Sequence, residues 1–408
     1  MRLVRLPSGR APAQHAESVA RRTVMMVARK IRTHRVGVRQ GSETGASFAR
    51  LGRPVIQSRR LMSGFSAMQN TALATMAIAL ASSAGAQETV SASLPAIVVS
   101  ARVTTWQGDA RAAYSLIHDD YCAGADGIVR HAVPELLARD LRAGIATVVG
   151  GCEWRGLTTT LAEFAAQGFE IVNHSYSHPH VTPDVARQEI GESKRRLEAD
   201  SGSPVTFFAF PYDDFNDETL EVVADTGHLG SRAGQPGINP PDGIDPLRVR
   251  FEVFGPYSSY EKNHEGLNRY VDDTLELGGW GVRECHGVED GSWEPVPLAE
   301  YRAHLDHVRA KVHERLLWMA PPSTVLRYQL ARSRCGAPLI AEHRVSIAAD
   351  EACLKLATPL TLALQVAGDS PRIVVHSEEL ELPTRLGPSG EWLVDIKPGQ
   401  SIDVLVPD

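Results

Sequence analysis

No Cys-x-x-Cys pair occurs anywhere in the 408 residues, which excludes a zinc ribbon and a thioredoxin-type redox site. The five cysteines are Cys122, Cys152, Cys285, Cys335 and Cys353, so an oxidising compartment allows at most two bridges and leaves one thiol over. Cys335 and Cys353 are a candidate pair. No apolar run reaches the ~18–20 residues that a membrane span needs, so a polytopic membrane protein is ruled out. Gly-x-Ser-x-Gly, Gly-x-x-x-x-Gly-Lys and His-Glu-x-x-His are also missing. Their absence removes a serine-hydrolase elbow, a phosphate-binding P-loop and a zincin site.

What charge there is lies unevenly. Met1–Ala67 carries 14 Lys+Arg against 2 Asp+Glu, a net of +12, while the rest of the chain has a net of −19. An acidic body argues against a nucleic-acid-binding main domain. The basic piece, 1–67, shows no sustained periodicity. It reads as a disordered leader or an upstream extension of the true start, with a nucleic-acid arm or a transit peptide as the functional alternatives. Met68–Ala86 contains no charged residue, and its apolar run Thr71–Ala81 ends in Ala84-Gly85-Ala86. That is the layout of a secretory signal peptide, and it implies an exported protein, periplasmic or extracellular, that begins at Gln87. Ser58-Arg59-Arg60-Leu61-Met62 partly matches a twin-arginine motif, provided that translation starts upstream of it.

From about Arg111 the chain alternates strand-like and helix-like segments. Ala112–His118, Ile145–Gly150, Phe169–Asn173, Val205–Phe210, Leu247–Val253, Trp280–Cys285 and Leu316–Met319 read as buried strands. Helical patterns lie between them, as at Thr158–Ala166, where Leu161, Phe164 and Ala165 share one face. Seven such βα units predict a parallel barrel over 111–334, preceded by a linker or N-terminal strand at 87–110. After Arg334 short alternating runs separated by Gly, Pro, Asp and Ser predict a small all-β domain over 339–408. That domain is either a carbohydrate-binding module or a structural addition; Trp392 is its sole tryptophan, and scarce aromatics favour the second reading.

Catalytic groups of parallel barrels sit where strands end. Here the first strand ends in His118-Asp119-Asp120, the third in Asn173-His174-Ser175-Tyr176-Ser177-His178, the fourth in Phe210-Pro211-Tyr212-Asp213 and the sixth in Cys285-His286-Gly287. His174 and His178, four apart, can reach one ion. An adjacent acid pair at a buried strand end is costly unless a cation or a proton resolves it. His180 is a spare ligand or an exposed loop residue.

These motifs resemble the polysaccharide deacetylase family, the NodB-homology or carbohydrate esterase family 4 enzymes, over roughly Arg111–Arg334. Ile117-His118-Asp119-Asp120 matches the acids of the family's Thr-Phe-Asp-Asp, and His174-Ser175-Tyr176-Ser177-His178 resembles its motif of His-Ser/Thr followed closely by a second His. The resemblance implies a distorted (β/α)7 barrel of the NodB-homology type, followed here by the small all-β C-terminal domain. It implies Asp119 as general base, Asp120, His174 and His178 as ligands of one divalent metal, zinc or else cobalt, and His286 as general acid. It also implies that the backbone N–H of Tyr212 receives the oxyanion. The family's Arg-x-Pro-Tyr stands here as Ala209-Phe210-Pro211-Tyr212, without its arginine. The subgroup with Phe-Ala-Tyr-Pro-Tyr-Gly at this place shares that absence, and Arg232 is the candidate to orient Asp119 instead. His118 in place of Phe and Tyr121 in place of Gly are further departures.

The function so implied is removal of N- or O-linked acetyl groups from a glycan by metal-activated water. The alternatives are a metal-dependent amidohydrolase for non-glycan C–N bonds and an inactive glycan-binding protein on the same scaffold. Substrate choice falls to loops such as Ser231–Leu247 and Glu289–Pro297, in which Trp293 either stacks on a sugar or packs the loop.

Overall fold

Ten strands run from the start of the described chain through the barrel. In the computed structural model, residues 93–368 and 371–407 are described; the basic leader and the signal-peptide segment, 1–86, lie outside them. The strands are β1 (Ser93–Pro95), β2 (Val98–Val103), β3 (Ala112–Tyr121), β4 (Gly144–Thr147), β5 (Glu170–Asn173), β6 (Phe207–Ala209), β7 (Gly230–Pro236), β8 (Val249–Val253), β9 (Trp280–Cys285) and β10 (Leu317–Met319). Strands β3 to β9 pair in sequence order, all parallel, and β9 returns to β3, which closes a seven-stranded ring. Ile117, Val172, Phe207, Val249, Phe251 and Trp280 fill its bore. Each such side chain, fully buried, contributes roughly 1.5–3 kcal/mol to stability.

Seven is the number expected, but its membership differs. Leu316–Met319, read as the seventh strand of the ring, is β10, which pairs only with the first residues of β3, beside β4. The seventh member is β7, Gly-Ser-Arg-Ala-Gly-Gln-Pro, too poor in branched apolar residues to read as a strand. The loop read as Ser231–Leu247 therefore begins as a strand. Likewise the strand read as Ile145–Gly150 stops at Thr147 and gives way to the helix Val149–Arg155.

Helices on the outside hold the ring by one apolar face each. In the helix His264–Leu277, Leu267, Tyr270, Val271 and Thr274 recur at helical spacing and are buried. The Asn263 side chain accepts from the Gly266 N–H at its start, and Gly278 in the left-handed region ends it. The long helical run from Pro183 to Ser201 widens into a π segment at Arg187–Glu192.

The β region contains β11 (Pro338–Ala341), β12 (Arg344–Ile347), β13 (Leu360–Val366), β14 (Val374–Ser377), β15 (Leu380–Leu382), β16 (Thr384–Leu386), β17 (Trp392–Ile396) and β18 (Ser401–Pro407). They form two antiparallel sheets around a shared core that includes Val345, Leu362, Val375, Val394 and Ile402. The segment before the barrel belongs to these sheets. β1 pairs with β18 and β2 with β13. Disulfides join Cys335 to Cys353 and Cys122 to Cys152, leaving Cys285 as a buried free thiol.

Candidate active site

At the end of β3, strand alternation sends Ala113 and Ile117 into the bore and Asp119 after them. Asp120 should then face outward. It does not, because its φ of +64° turns the chain into the left-handed region, where Asp is tolerated, and both carboxyls enter the barrel mouth. Two residues on, Cys122 is bonded to Cys152 in the helix Val149–Arg155, which ties this turn to the end of β4.

The histidine loop is held by its neighbours. Asn173 Oδ1 accepts from the Ser175 N–H (3.1 Å) and from Ser193 Oγ (2.8 Å), and Ser175 Oγ accepts from the His178 N–H (2.9 Å). Glu189, in the π segment, accepts from the N–H groups of Tyr176 (2.9 Å) and Ser177 (2.8 Å) and from Ser177 Oγ (2.8 Å). π turns often serve to aim such a group. His174 Nδ1 donates to the Ala209 carbonyl at 2.8 Å, so its Nε2 faces the cleft.

There the donor atoms converge. His178 Nε2 lies 3.1 Å from Asp120 Oδ1, His174 Nε2 3.6 Å from the same oxygen, and the two Nε2 atoms are 3.2 Å apart. Asp120 Oδ1 is buried and makes no hydrogen bond. A buried carboxylate oxygen left over beside two imidazoles is what a divalent cation satisfies, and the N/O donor set suits zinc or a similar ion.

Arg232, 1% exposed on β7, reaches the other acid. Its Nη1 and Nη2 donate to Asp119 Oδ1 and Oδ2 at 2.8 and 2.6 Å, a bidentate pair. Nη2 also lies 3.2 Å from Asp213 Oδ1 and 3.4 Å from Glu284 Oε2. Burial by itself would raise the Asp119 pKa, but the Arg232 and His174 charges outweigh it and hold the carboxyl below its ordinary value. Burial pushes Glu284 well above the carboxylate range despite Arg232. Asp119, Glu284 and His286 lie close enough to share an ion, yet Arg232 already puts a cation among them.

His286 stands just beyond β9, with Nε2 3.7 Å from Asp120 Oδ2 and Nδ1 3.9 Å from Glu284 Oε1. Burial lowers its pKa, and the edge of Trp293 packs on it at 4.9 Å. His118, wholly buried, is driven down to about 4 by burial and is neutral at ordinary pH.

All seven residues singled out in the sequence (Asp119, Asp120, His174, His178, Tyr212, Arg232 and His286) line one cleft of about 740 Å³, with Tyr257 and Trp293 at its rim. Tyr212 has a φ of +58°, rare for a bulky residue, and packs its ring on His178. His180 stays outside the donor cluster, exposed, stacked on Tyr212 and paired with Asp214 at 3.0 Å. Sequence reasoning missed Glu189 and Glu284, and it gave no role to Asp213, which it placed at the end of the fourth strand. The signal for Glu284 was a lone acid in the run Trp280–Cys285, two residues before His286; Glu189 carried none.

None of the curated proteins matches the chain at a significant level. Among solved structures, it is similar to a peptidoglycan N-acetylglucosamine deacetylase (14% identity, 54% of this chain and 90% of that one, TM-score 0.40). It is similar also to a family 4 acetyl xylan esterase from Clostridium thermocellum in complex with cobalt (15%, 54% and 91%, TM-score 0.39). A third is a carbohydrate esterase family 4 pseudoenzyme from Bacillus anthracis (16%, 52% and 64%, TM-score 0.37), of which the chain spans less than two thirds. From the turn after β3 to the first residue of β7, residues 126–230, the sequence matches the family model for polysaccharide deacetylase, a stretch that includes both His174 and His178.

Proposed function

We propose that the protein is a metal-dependent deacetylase that removes N- or O-linked acetyl groups from a polysaccharide or oligosaccharide. The observation that carries this reading is the placement of Asp119, gripped by Arg232, next to the Asp120, His174 and His178 donor set in one cleft. Asp120, His174 and His178 would hold a divalent cation, zinc or cobalt, which would supply polarisation of an acyl carbonyl and lower the pKa of bound water from 15.7 toward about 7. Asp119, ionised and fixed by Arg232, accepts the proton of the attacking water. The Tyr212 backbone N–H, on the cleft wall, is the donor for the developing oxyanion. His286 gives a proton to the departing amine or alcohol. The rim aromatics Tyr257 and Trp293 suit the faces of sugar rings, and the two disulfides support export to an oxidising compartment.

Acetate release from a panel of acetylated glycans, with chelator and with added Zn²⁺ or Co²⁺, tests the proposal. Release that stops with chelator and returns with metal is expected. Chelator-insensitive release would overturn the metal-dependent mechanism, and no acetate from any glycan would move the assignment to a non-glycan amide or to binding alone.

A further inference from the structure

We infer that His118 is a positioning residue for His286, acting through the main chain and braced by Tyr301; this rests on the deacetylase reading above. The β3–β9 ladder ends at the pair His118↔Cys285, so His286 is the first residue that no strand pairing holds. Its imidazole Nδ1 is buried without a hydrogen bond, so the ring is held by packing against Trp293 and not by a bond at that nitrogen. The His118 side chain supplies the missing rung. Its Nδ1 lies 2.7 Å from the His286 carbonyl oxygen, and because a carbonyl only accepts, Nδ1 carries the proton. At the other end of the ring, Nε2 lies 2.8 Å from the Tyr301 hydroxyl, and this contact fixes the ring so that Nδ1 reaches His286. Tyr301 is wholly buried on the helix Leu298–His313, so the brace is rigid. A second pair, Tyr114 Oη with His304 Nε2 at 3.0 Å, laces the same strand to the same helix away from the cleft, and serves as a control.

The experiment uses the metal-loaded full chain and the acetylated glycan it cleaves best. His118→Phe lowers kcat about 10- to 100-fold with KM within about twofold, because a displacement of about 1 Å in an acid's position costs that much. His118→Asn, which keeps an N–H near Nδ1, recovers most of the loss, Tyr301→Phe loses less than His118→Phe, and Tyr114→Phe leaves kcat unchanged. In a His286→Ala background, His118→Phe causes no further loss. An equal loss with and without His286 overturns the inference and places the effect elsewhere, as at Asp119. Histidine ¹⁵N NMR gives a reading that needs no turnover: His118 is the Nδ1–H tautomer, and Tyr301→Phe or His118→Asn shifts the His286 ring signals while those of His228 stay. Unmoved His286 signals overturn the inference even if wild type releases no acetate, an outcome that by itself refutes only the deacetylase reading.

Discussion

Arg232 on β7 holds both oxygens of Asp119 on β3, at 2.8 and 2.6 Å, from a strand that is not its neighbour in the ring. No arginine stands beside Pro211-Tyr212, so the guanidinium that fixes Asp119 comes from another strand. Arg232→Lys keeps a charge but loses the planar fork, and a fall of about 10-fold or more in kcat is expected. Arg232→Ala leaves Asp119 and Glu284 buried without their cation. It should lower kcat by about 10²–10³ and destabilise the fold by about 3–5 kcal/mol, read by kinetics and by denaturant melts.

Glu189 touches no metal-donor side chain, yet it pins the loop between the two histidines through two backbone N–H groups. Glu189→Gln keeps one acceptor oxygen, whereas Glu189→Ala keeps none. Zn²⁺ affinity, measured by competition with a chromophoric chelator, should fall about 10–100-fold in Glu189→Ala and less in Glu189→Gln.

Amide nitrogen leaves poorly without a proton, whereas alkoxide from an ester leaves more readily. His286→Ala should therefore damage N-deacetylation more than O-deacetylation. Equal losses on matched N-acetyl and O-acetyl substrates would count against His286 as the acid.

Two buried groups give the fold opposite responses to pH. Burial pushes Glu170 up to about 7, with Oε1 unpaired and Oε2 accepting from the Ser323 N–H. Burial, helped by Lys194, drives His228 down to about 4, with Nε2 against Asn173 Nδ2 at 3.2 Å. The raised acid binds its proton more tightly when folded, so its contribution is full below about 4.5 and is lost as pH rises toward 7. The depressed base contributes fully above about 6.5 and loses that contribution as pH falls toward 4. Each is at most about 3 kcal/mol, and between them the slopes oppose. Glu170→Gln should make stability fall more steeply on acidification, and His228→Gln should make it fall more steeply on raising pH. Urea melts from pH 4 to 7 that show no change in slope for either variant would refute the pair.

The Cys122–Cys152 bond lies directly behind Asp120. Its loss in a Cys122→Ser/Cys152→Ser double variant should cost about 2–4 kcal/mol of stability. Because the same bond ties down the turn that carries Asp120, metal affinity should fall as well. Removing Cys335–Cys353 by the same substitution should cost stability alone.

The acids and histidines were legible because catalysis at barrel mouths puts polar groups after apolar strands, and that break in pattern survives in sequence. The positive φ of Asp120 was not legible, since Asp is equally at home in extended backbone. β7 was misread for a related reason. Enclosed by neighbours on both edges, Gly230–Pro236 needs no branched side chains of its own to stay in the ring, and its Arg232 reaches Asp119. β10 was misread the other way: Leu-Trp-Met is as apolar as a ring strand, but it packs outside and pairs with one end of β3. Nothing local distinguished Glu189, whose role depends on a π turn that brings a helix to a distant loop.

The pairing of Ser93 with Pro407 sets the order in which the chain can finish folding. Strands made before the barrel wait for partners made after it, so the outer sheets close only once β13 and β18 have been synthesised. Contacts of such long sequence separation are slow to form, and until then β1 and β2 present unpaired edges. A chain cut short near residue 340 would therefore not be simply a trimmed barrel. It would be a barrel trailing two unsatisfied strands, exposed to aggregation and proteolysis from its own N-terminal side.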